Sequence, residues 1–184
     1  MKKISTLFKK DPNKLSRVID EINPENEWAI NNGIATRKYD GTASAVINGE
    51  IYKRYDVKKG RSIPLGAIAC QEPDEITGHH PHWVKCDRND SADQYHFEAF
   101  DKLSPIVDGT YELVGPKIQG NPENYTSHVL VPHGDSQLHL TDLSFEGIKA
   151  YLTDENIEGI VFHATDGSGR MCKIRKADFG IKRL

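Results

Sequence analysis

A lysine attacks phosphorus only as the neutral amine, and a free lysine with a pKa of about 10.4 is roughly 0.1% neutral at physiological pH. A chain that uses one as a nucleophile must crowd it with cations or bury it, since both disfavour the ammonium. Lys38, in Lys38-Tyr39-Asp40-Gly41, is the candidate amine, and Lys173 and Arg175, in Lys173-Ile174-Arg175-Lys176, are the candidate cations. Side chains alternate along a strand, so Lys173 and Arg175 share one face while Cys172 and Ile174 share the other. The same two charges would balance negative charge growing on a phosphate during transfer. Alone, such a basic strand more often reads as a solvated sheet edge.

Two carboxylates complete the set. Glu158, in Glu158-Gly159-Ile160-Val161, lies across the turn Asp166-Gly167-Ser168-Gly169 from the basic strand. A carboxylate beside two cations and a triphosphate is a natural Mg²⁺ ligand, direct or through water, with Mn²⁺ as the substitute. By itself it would read as an ordinary cross-strand ion pair. Glu112 sits in the otherwise apolar run Tyr111-Glu112-Leu113-Val114, where burial is costly without a partner. Thr36 shares a strand face with Lys38, and Ile160 shares one with Glu158.

The elements that must position these residues read as follows. Asp11-Pro12 with Leu15, Val18, Ile19 and Ile22 predicts a helix that stops at Asn23-Pro24. Strands are expected near Trp28 to Ile30, at Ile34 to Lys38, Ala43 to Ile47 and Ile51 to Tyr55, the last two joined by the Asn48-Gly49 hairpin signal. Residues 61–92, rich in Pro, Gly, His and acids, read as a long surface segment. Strands resume at Tyr95 to Phe100, Gly109 to Val114 and His128 to Val131. Ser144 to Leu152 reads as a helix with Glu146 near its positive end. Ile157 to His163 and Arg170 to Lys176 close the chain as a strand pair. Many antiparallel strands with few helices make the class α+β.

Length and composition fit one domain spanning residues 1–184, with 37% hydrophobic and 28% charged residues. The basic N-terminus, Met1 to Lys10, has no apolar run behind it, so neither a secretory signal nor a membrane span is expected, and a cytoplasmic protein follows. Cys70, Cys86 and Cys172 read as free thiols. Cys70, His79, His82 and Cys86 offer metal ligands, but their spacing matches no standard zinc pattern, and His79, His80 and His82 read as solvent- or substrate-facing. The formal charge of -3 is segregated: +3 over Glu50 to Arg61, +5 over Arg170 to Arg183 and -11 elsewhere. That distribution suits a polyanion-binding face on an acidic body.

Lys38-Tyr39-Asp40-Gly41, Arg54, Tyr111 to Gly115, Glu158 to Val161 and Lys173 to Lys176 together resemble the ordered motifs of the covalent nucleotidyltransferase superfamily, which contains DNA ligases, RNA ligases and capping guanylyltransferases. The likeness spans Thr36 to Lys176. It implies a nucleotidyltransferase (ATP-grasp-like) domain of largely antiparallel sheets flanked by helices, with ATP and Mg²⁺ as cofactors. Lys38 would be adenylylated, with Glu158, Lys173 and Arg175 catalytic. Thr36, Asp40, Gly41, Arg54, Glu112, Ile160, Lys173, Arg175 and Lys176 would hold the nucleotide, Arg54 and Glu112 at the sugar, and Glu158 and Glu112 would meet the metal. An aromatic stacking on the purine is expected at Tyr125 or His128. Arg175 departs from the commonest ligase form, which has lysine there; it keeps the charge but cannot donate a proton as lysine does.

Finer wording narrows the resemblance: Ala35-Thr36, Tyr55-Asp56-Val57-Lys58 with Gly60-Arg61, Cys70-Gln71-Glu72-Pro73-Asp74, Thr77-Gly78-His79 and Glu112 to Lys117 look like a small family of 5′-3′ RNA ligases with vertebrate and bacteriophage members. The chain ends eight residues after Lys176, so no C-terminal oligonucleotide-binding domain is expected. The implied reaction joins RNA 5′-phosphate and 3′-hydroxyl ends through lysyl-AMP. Lys58, Lys59, Arg61, Arg170, Lys182 and Arg183 would contact the RNA backbone, and Gln71 to His96, with Glu98, would shape the 5′-end pocket. The alternatives are a DNA nick ligase, a GTP-dependent guanylyltransferase, or a nucleic-acid-binding module that kept the fold and lost the chemistry.

Overall fold

The computed structural model of the chain describes residues 4–74 and 78–183; Thr77 of the Thr77-Gly78-His79 motif and Met1 to Lys3 of the basic N-terminus lie outside the described residues. In chain order the elements are β1 (Ser5–Thr6), β2 (Phe8–Asp11), β3 (Lys14–Ile22), α1 (Trp28–Asn32), β4 (Ile34–Lys38), β5 (Thr42–Ile47), β6 (Glu50–Val57), β7 (Ile68–Ala69), β8 (His80–Lys85), α2 (Gln94–Phe100), β9 (Gly109–Val114), β10 (Val129–Pro132), α3 (Phe145–Asp154), β11 (Gly159–His163), β12 (Met171–Arg175) and α4 (Lys176–Phe179). The class is α+β with mostly antiparallel pairing. Two compact units divide the chain, one from Asp40 to His133 and one from Ile4 to Tyr39 and from Gly134 onward.

The first unit is a six-stranded antiparallel sheet in the order β10-β9-β5-β6-β8-β7. Asn48 and Gly49 both take positive φ, 51° and 73°, the geometry a two-residue hairpin needs to match strand twist. The Asp108 carboxylate accepts from both of their backbone amides, at 2.6 and 2.9 Å. Val46, Ile51, Tyr111, Leu113 and Leu130 form the core of this unit, together with Ala99 of α2. In the second unit the sheet order is β1-β12-β11-β4, antiparallel except for the β1–β12 pair. Ile160, Phe162, Cys172 and Ile174 pack there with Ile148 and Leu152 of α3. The start of α3 is fixed by Ser144, whose Oγ accepts from the Gly147 amide at 3.1 Å, with Glu146 in the first turn.

Three expected elements are of the opposite kind. Residues 11–22 are not a helix: Asp11 Oδ1 accepts from the Asn13 amide at 2.8 Å, so Asp11-Pro12-Asn13 is a turn between β2 and β3 rather than a helix cap. The apparent helical stripe fails because Leu15 is 72% exposed and only Val18 is buried. Trp28 to Ile30 belongs to α1, entered from a 3-10 turn in which the Asn23 side chain accepts from the Glu25 amide. Tyr95 to Phe100 is helical because Asp90 caps the preceding turn and His96 and Ala99, three apart, face inward together. The segment 61–92 also holds more order than expected. Its β8 pairs with β6 over six residues and carries His80 and His82, with His82 and Trp83 buried, while His79 precedes the strand and is exposed. The three cysteines are unpaired, and no helix among the described residues is long and apolar enough to cross a membrane.

Gly159 has a role in this packing that no other residue could take. A Cβ there would lie 2.3 Å from the Ile174 carbonyl oxygen and 2.8 Å from Arg175 Cα, both backbone atoms. Gly159→Ala is therefore expected to part β11 from β12 and cost about 1–3 kcal/mol, measured as a lowered urea midpoint with unchanged slope.

Candidate active site

Strand β11 lies between β4 and β12, and its register decides what meets. Lys38 stands opposite Gly159, which stands opposite Arg175; Thr36 stands opposite Val161, which stands opposite Lys173. Directly opposed residues project from the same face of a sheet. Thr36, Lys38, Val161, His163, Lys173 and Arg175 therefore share one face, while Ile160, Phe162, Cys172 and Ile174 fill the core from the other. Gly159 leaves the gap between Lys38 and Arg175 free of a side chain. Glu158, just before β11, accepts from Lys38 Nζ through Oε2, and both side chains are about four-fifths buried. Lys38 Nζ also reaches the Tyr39 carbonyl at 3.4 Å, and Tyr39 is held through its hydroxyl to Ser136 Oγ at 2.8 Å.

Crowding of like charge marks this face. Burial, then the Arg175 guanidinium and the Lys38 ammonium, push the Lys173 amine down from 10.5 to about 8. Arg175 is clamped: its Nε and NH2 donate to Asp178 at 3.2 and 3.1 Å, and its backbone amide donates to the same carboxylate at 3.0 Å. Burial alone would raise the Asp178 carboxyl, but hydrogen bonds from Arg175 and Lys10 outweigh it and hold it below its usual range. Lys10 Nζ is 2.7 Å from Asp178 Oδ1. Sequence reasoning missed Asp178, although an acid three residues after the last strand position is the signature of a capping box.

Several expected roles change with these positions. Ile160 is fully buried in the core, opposite in facing to Lys38, so Val161 is the residue available on that side. Glu158 escapes the alternation because it precedes the first paired residue of β11. Thr36 is 2% exposed, and its hydroxyl meets the Val161 carbonyl at 3.2 Å and His163 Nε2 at 3.0 Å. Lys176 opens α4 and is buried, its amide donating to the Glu158 carbonyl at 3.0 Å. Arg170 pairs with Asp166 at 2.7 Å and lies 5.3 Å from the Trp28 ring, Lys182 is exposed and Arg183 contacts Asn156.

The first unit holds the remaining predicted residues. Glu112 finds partners: Oε1 accepts from the Gly41 amide at 3.1 Å and Oε2 lies 2.9 Å from His133 Nε2. His133 was not singled out in the sequence, where nothing but its polarity after an apolar strand marks it. A side chain at position 41 would meet the Leu113 carbonyl at 2.2 Å, so only glycine fits. The Asp40 amide donates to Glu123 Oε1 at 2.8 Å. Arg54 lies over the Trp83 ring at 5.6 Å, with Nε 3.5 Å from Asp56. Lys58, Lys59 and Arg61 are exposed in the loop after β6. Of the two candidate stacking residues, His128 is buried against Tyr95 with ring centroids 4.3 Å apart, and its Nδ1 is 2.7 Å from Glu98. The Glu98 side chain is 42% exposed, and Tyr125 is half-buried.

Residues 99–183 match the family model described as RNA ligase 1. That match supports an RNA ligase family assignment. It takes in Glu112, Glu158, Lys173 and Arg175, while Lys38 and Arg54 precede the matched range. No curated protein compared with the chain matches it. The lowered pKa of Lys173 has a measurable consequence. Between about pH 8 and 10.5 the folded amine is neutral while the unfolded lysine is still charged. The unfolded state then binds more protons, so this group's contribution to stability rises with pH across that window. Lys173→Met is expected to flatten the rise and to stabilise the fold below pH 8 by up to about 3 kcal/mol, measured by denaturation at several pH values.

Proposed function

We propose that the protein is an ATP-dependent RNA ligase with a nucleotidyltransferase-type fold that joins 5′-phosphate and 3′-hydroxyl RNA ends through a lysyl-AMP intermediate. The observation that carries this reading is the contact of Lys38 with Glu158 on the sheet face that also bears Lys173 and Arg175. A solvated sheet edge would not crowd three cations on partly buried positions. A binding module would have no use for an amine paired to a carboxylate beneath them.

In the first step Lys38 Nζ forms a bond to the α-phosphorus of ATP while the bond from that phosphorus to the bridging oxygen breaks, and pyrophosphate leaves. The proton that Lys38 must lose has an acceptor in contact, the Glu158 carboxylate. Lys173 balances charge on the phosphate, and a polyanion beside it opposes the burial and like-charge crowding that lower its pKa. Arg175 keeps its charge through Asp178 and raises the local potential without moving a proton. Transfer of AMP to an RNA 5′-phosphate and attack by a 3′-hydroxyl with release of AMP complete the cycle.

Magnesium suits the donors of Glu158, since this ion takes one or two carboxylates and completes its shell with water and phosphate oxygens. Glu112, whose Oε1 accepts from the Gly41 amide and whose Oε2 meets His133, is the second candidate carboxylate. The ion would supply charge neutralisation at the triphosphate. Arg54 and Glu112 are assigned to the nucleotide sugar, and Lys58, Lys59, Arg61, Arg170, Lys182 and Arg183 to RNA phosphates.

Incubation with ATP and Mg²⁺ is expected to add one AMP to the intact protein by mass spectrometry, and GTP to add nothing. Lys38→Ala should abolish the adduct, and Glu158→Gln or Lys173→Met should slow its formation at least tenfold with circular dichroism unchanged. An unmodified wild-type mass under Mg²⁺ and Mn²⁺ would overturn the reading. Sealing of DNA nicks in preference to RNA ends would move it to the DNA ligase alternative.

A further inference from the structure

Away from Lys38 and its neighbours, the first unit holds a buried group of side chains that the proposed chemistry does not use. Cys86 follows β8 directly, Asp93 lies in the turn that leads into α2, and His96 is in the first turn of α2. All three are buried, His96 at 7% exposure, Cys86 at 6% and Asp93 at 1%. One ligand atom from each lies within 4.8 Å of the others. A thiol, an imidazole and a carboxylate at this spacing are the donor types of a zinc site.

A second observation comes from His96 itself. Both of its ring nitrogens are buried without a hydrogen-bond partner among the described residues. A buried imidazole normally satisfies at least one nitrogen, and leaving both unmet costs free energy that a ligand would return. The carboxylate, by contrast, is oriented in the way that metal ligands are. Asp93 Oδ1 accepts from Lys53 Nζ at 2.5 Å and Oδ2 accepts from the Asp87 amide at 2.9 Å. Each oxygen keeps a further lone pair, and such outer partners fix the direction of a coordinating group. Cys86 is anchored too, its amide donating to the Ile51 carbonyl at 3.0 Å. It also borders a cavity of about 520 Å³ lined by Lys85, Arg88, Phe97 and Phe100.

We propose that Cys86, Asp93 and His96 form a zinc site that ties the end of β8 to α2, with water in the fourth position. Bonds of about 2.3 Å to sulfur and 2.0–2.2 Å to nitrogen and oxygen set the donors of a tetrahedral ion roughly 3.5 Å apart. The three groups therefore close by about an ångström on binding, within reach of side-chain rotation. The thiol proton is released to solvent as the sulfur coordinates, so one negative charge joins that of Asp93 and the two offset the ion. This set differs from the combination of Cys70, His79, His82 and Cys86 offered by the sequence, because Cys86 lies with Asp93 and His96, while His82 Nδ1 meets the His80 carbonyl at 2.8 Å. The site is independent of lysine adenylylation, and either assignment can fail without the other.

The test uses the full-length protein stripped by chelator dialysis and titrated with Co²⁺, then with Zn²⁺. One equivalent of Co²⁺ should bring in the near-ultraviolet charge-transfer band of a cobalt thiolate and the visible bands of a tetrahedral ion, and one equivalent of Zn²⁺ should remove both. Cys86→Ser should lose the charge-transfer band, and His96→Gln, which keeps the size of the side chain and leaves the Lys53–Asp93 pair intact, should weaken Co²⁺ binding at least tenfold. Cys70→Ser should leave the spectrum unchanged. A wild-type protein with no charge-transfer band, or a band that survives Cys86→Ser, or His96→Gln binding as tightly as wild type with native circular dichroism, would overturn the proposal.

Discussion

Three cations on one face of a small sheet repel one another, and the second unit is organised around containing that repulsion. Lys38, Lys173 and Arg175 come together only because β11 pairs with β4 on one side and β12 on the other. Glu158 takes the charge of Lys38 and Asp178 takes that of Arg175. Lys173 has no ion pair with a carboxylate among the described residues, and burial with the two neighbouring cations loosens its hold on the proton. The arrangement resembles a spring kept compressed by two acids. A polyanion that enters it gains the attraction of every cation without having to assemble them.

Register is the structural variable on which this rests. A one-residue slip of β11 would send Val161 and His163 into the core and bring Ile160 and Phe162 out. The slip is prevented from the other face, where Ile160, Phe162, Cys172 and Ile174 interlock with α3. The apolar core of the unit and its charged face are thus two sides of the same pairing. Gly159 adds a local constraint, since no side chain fits against the β12 backbone at that point. The absence of a side chain there also keeps the space between Lys38 and Arg175 open.

In the first unit three buried polar groups are each matched by two partners. Glu112 serves the Gly41 amide and His133, Asp93 serves Lys53 and the Asp87 amide, and His128 serves Glu98 and the Lys117 amide. His96 differs, with both ring nitrogens buried and without a hydrogen-bond partner among the described residues. The RNA ligase family match runs through both the second half of this unit and most of the C-terminal part of the other. It thus covers the acids and the basic strand, while Lys38 stands upstream of it.

Much of the site could be read from the chain because the rules involved are local. Alternation put Lys173 and Arg175 on one face, Asn48-Gly49 demanded a hairpin, Ser144 demanded a helix start, and Glu112 in an apolar run demanded a partner. Which partner was not local: His133, His163 and Lys10 reach their places through folding, and their sequence surroundings carry no mark of it. The same limit explains residues 11–22, Trp28 to Ile30 and Tyr95 to Phe100, short segments whose apolar spacing suits helix and strand alike. For these, only the surface each packs against selects one conformation. The sequence by itself determined which residues can do chemistry and along which strands they repeat. Tertiary structure alone decided which charges face one another, because pairing energy depends on distances that chain order does not specify.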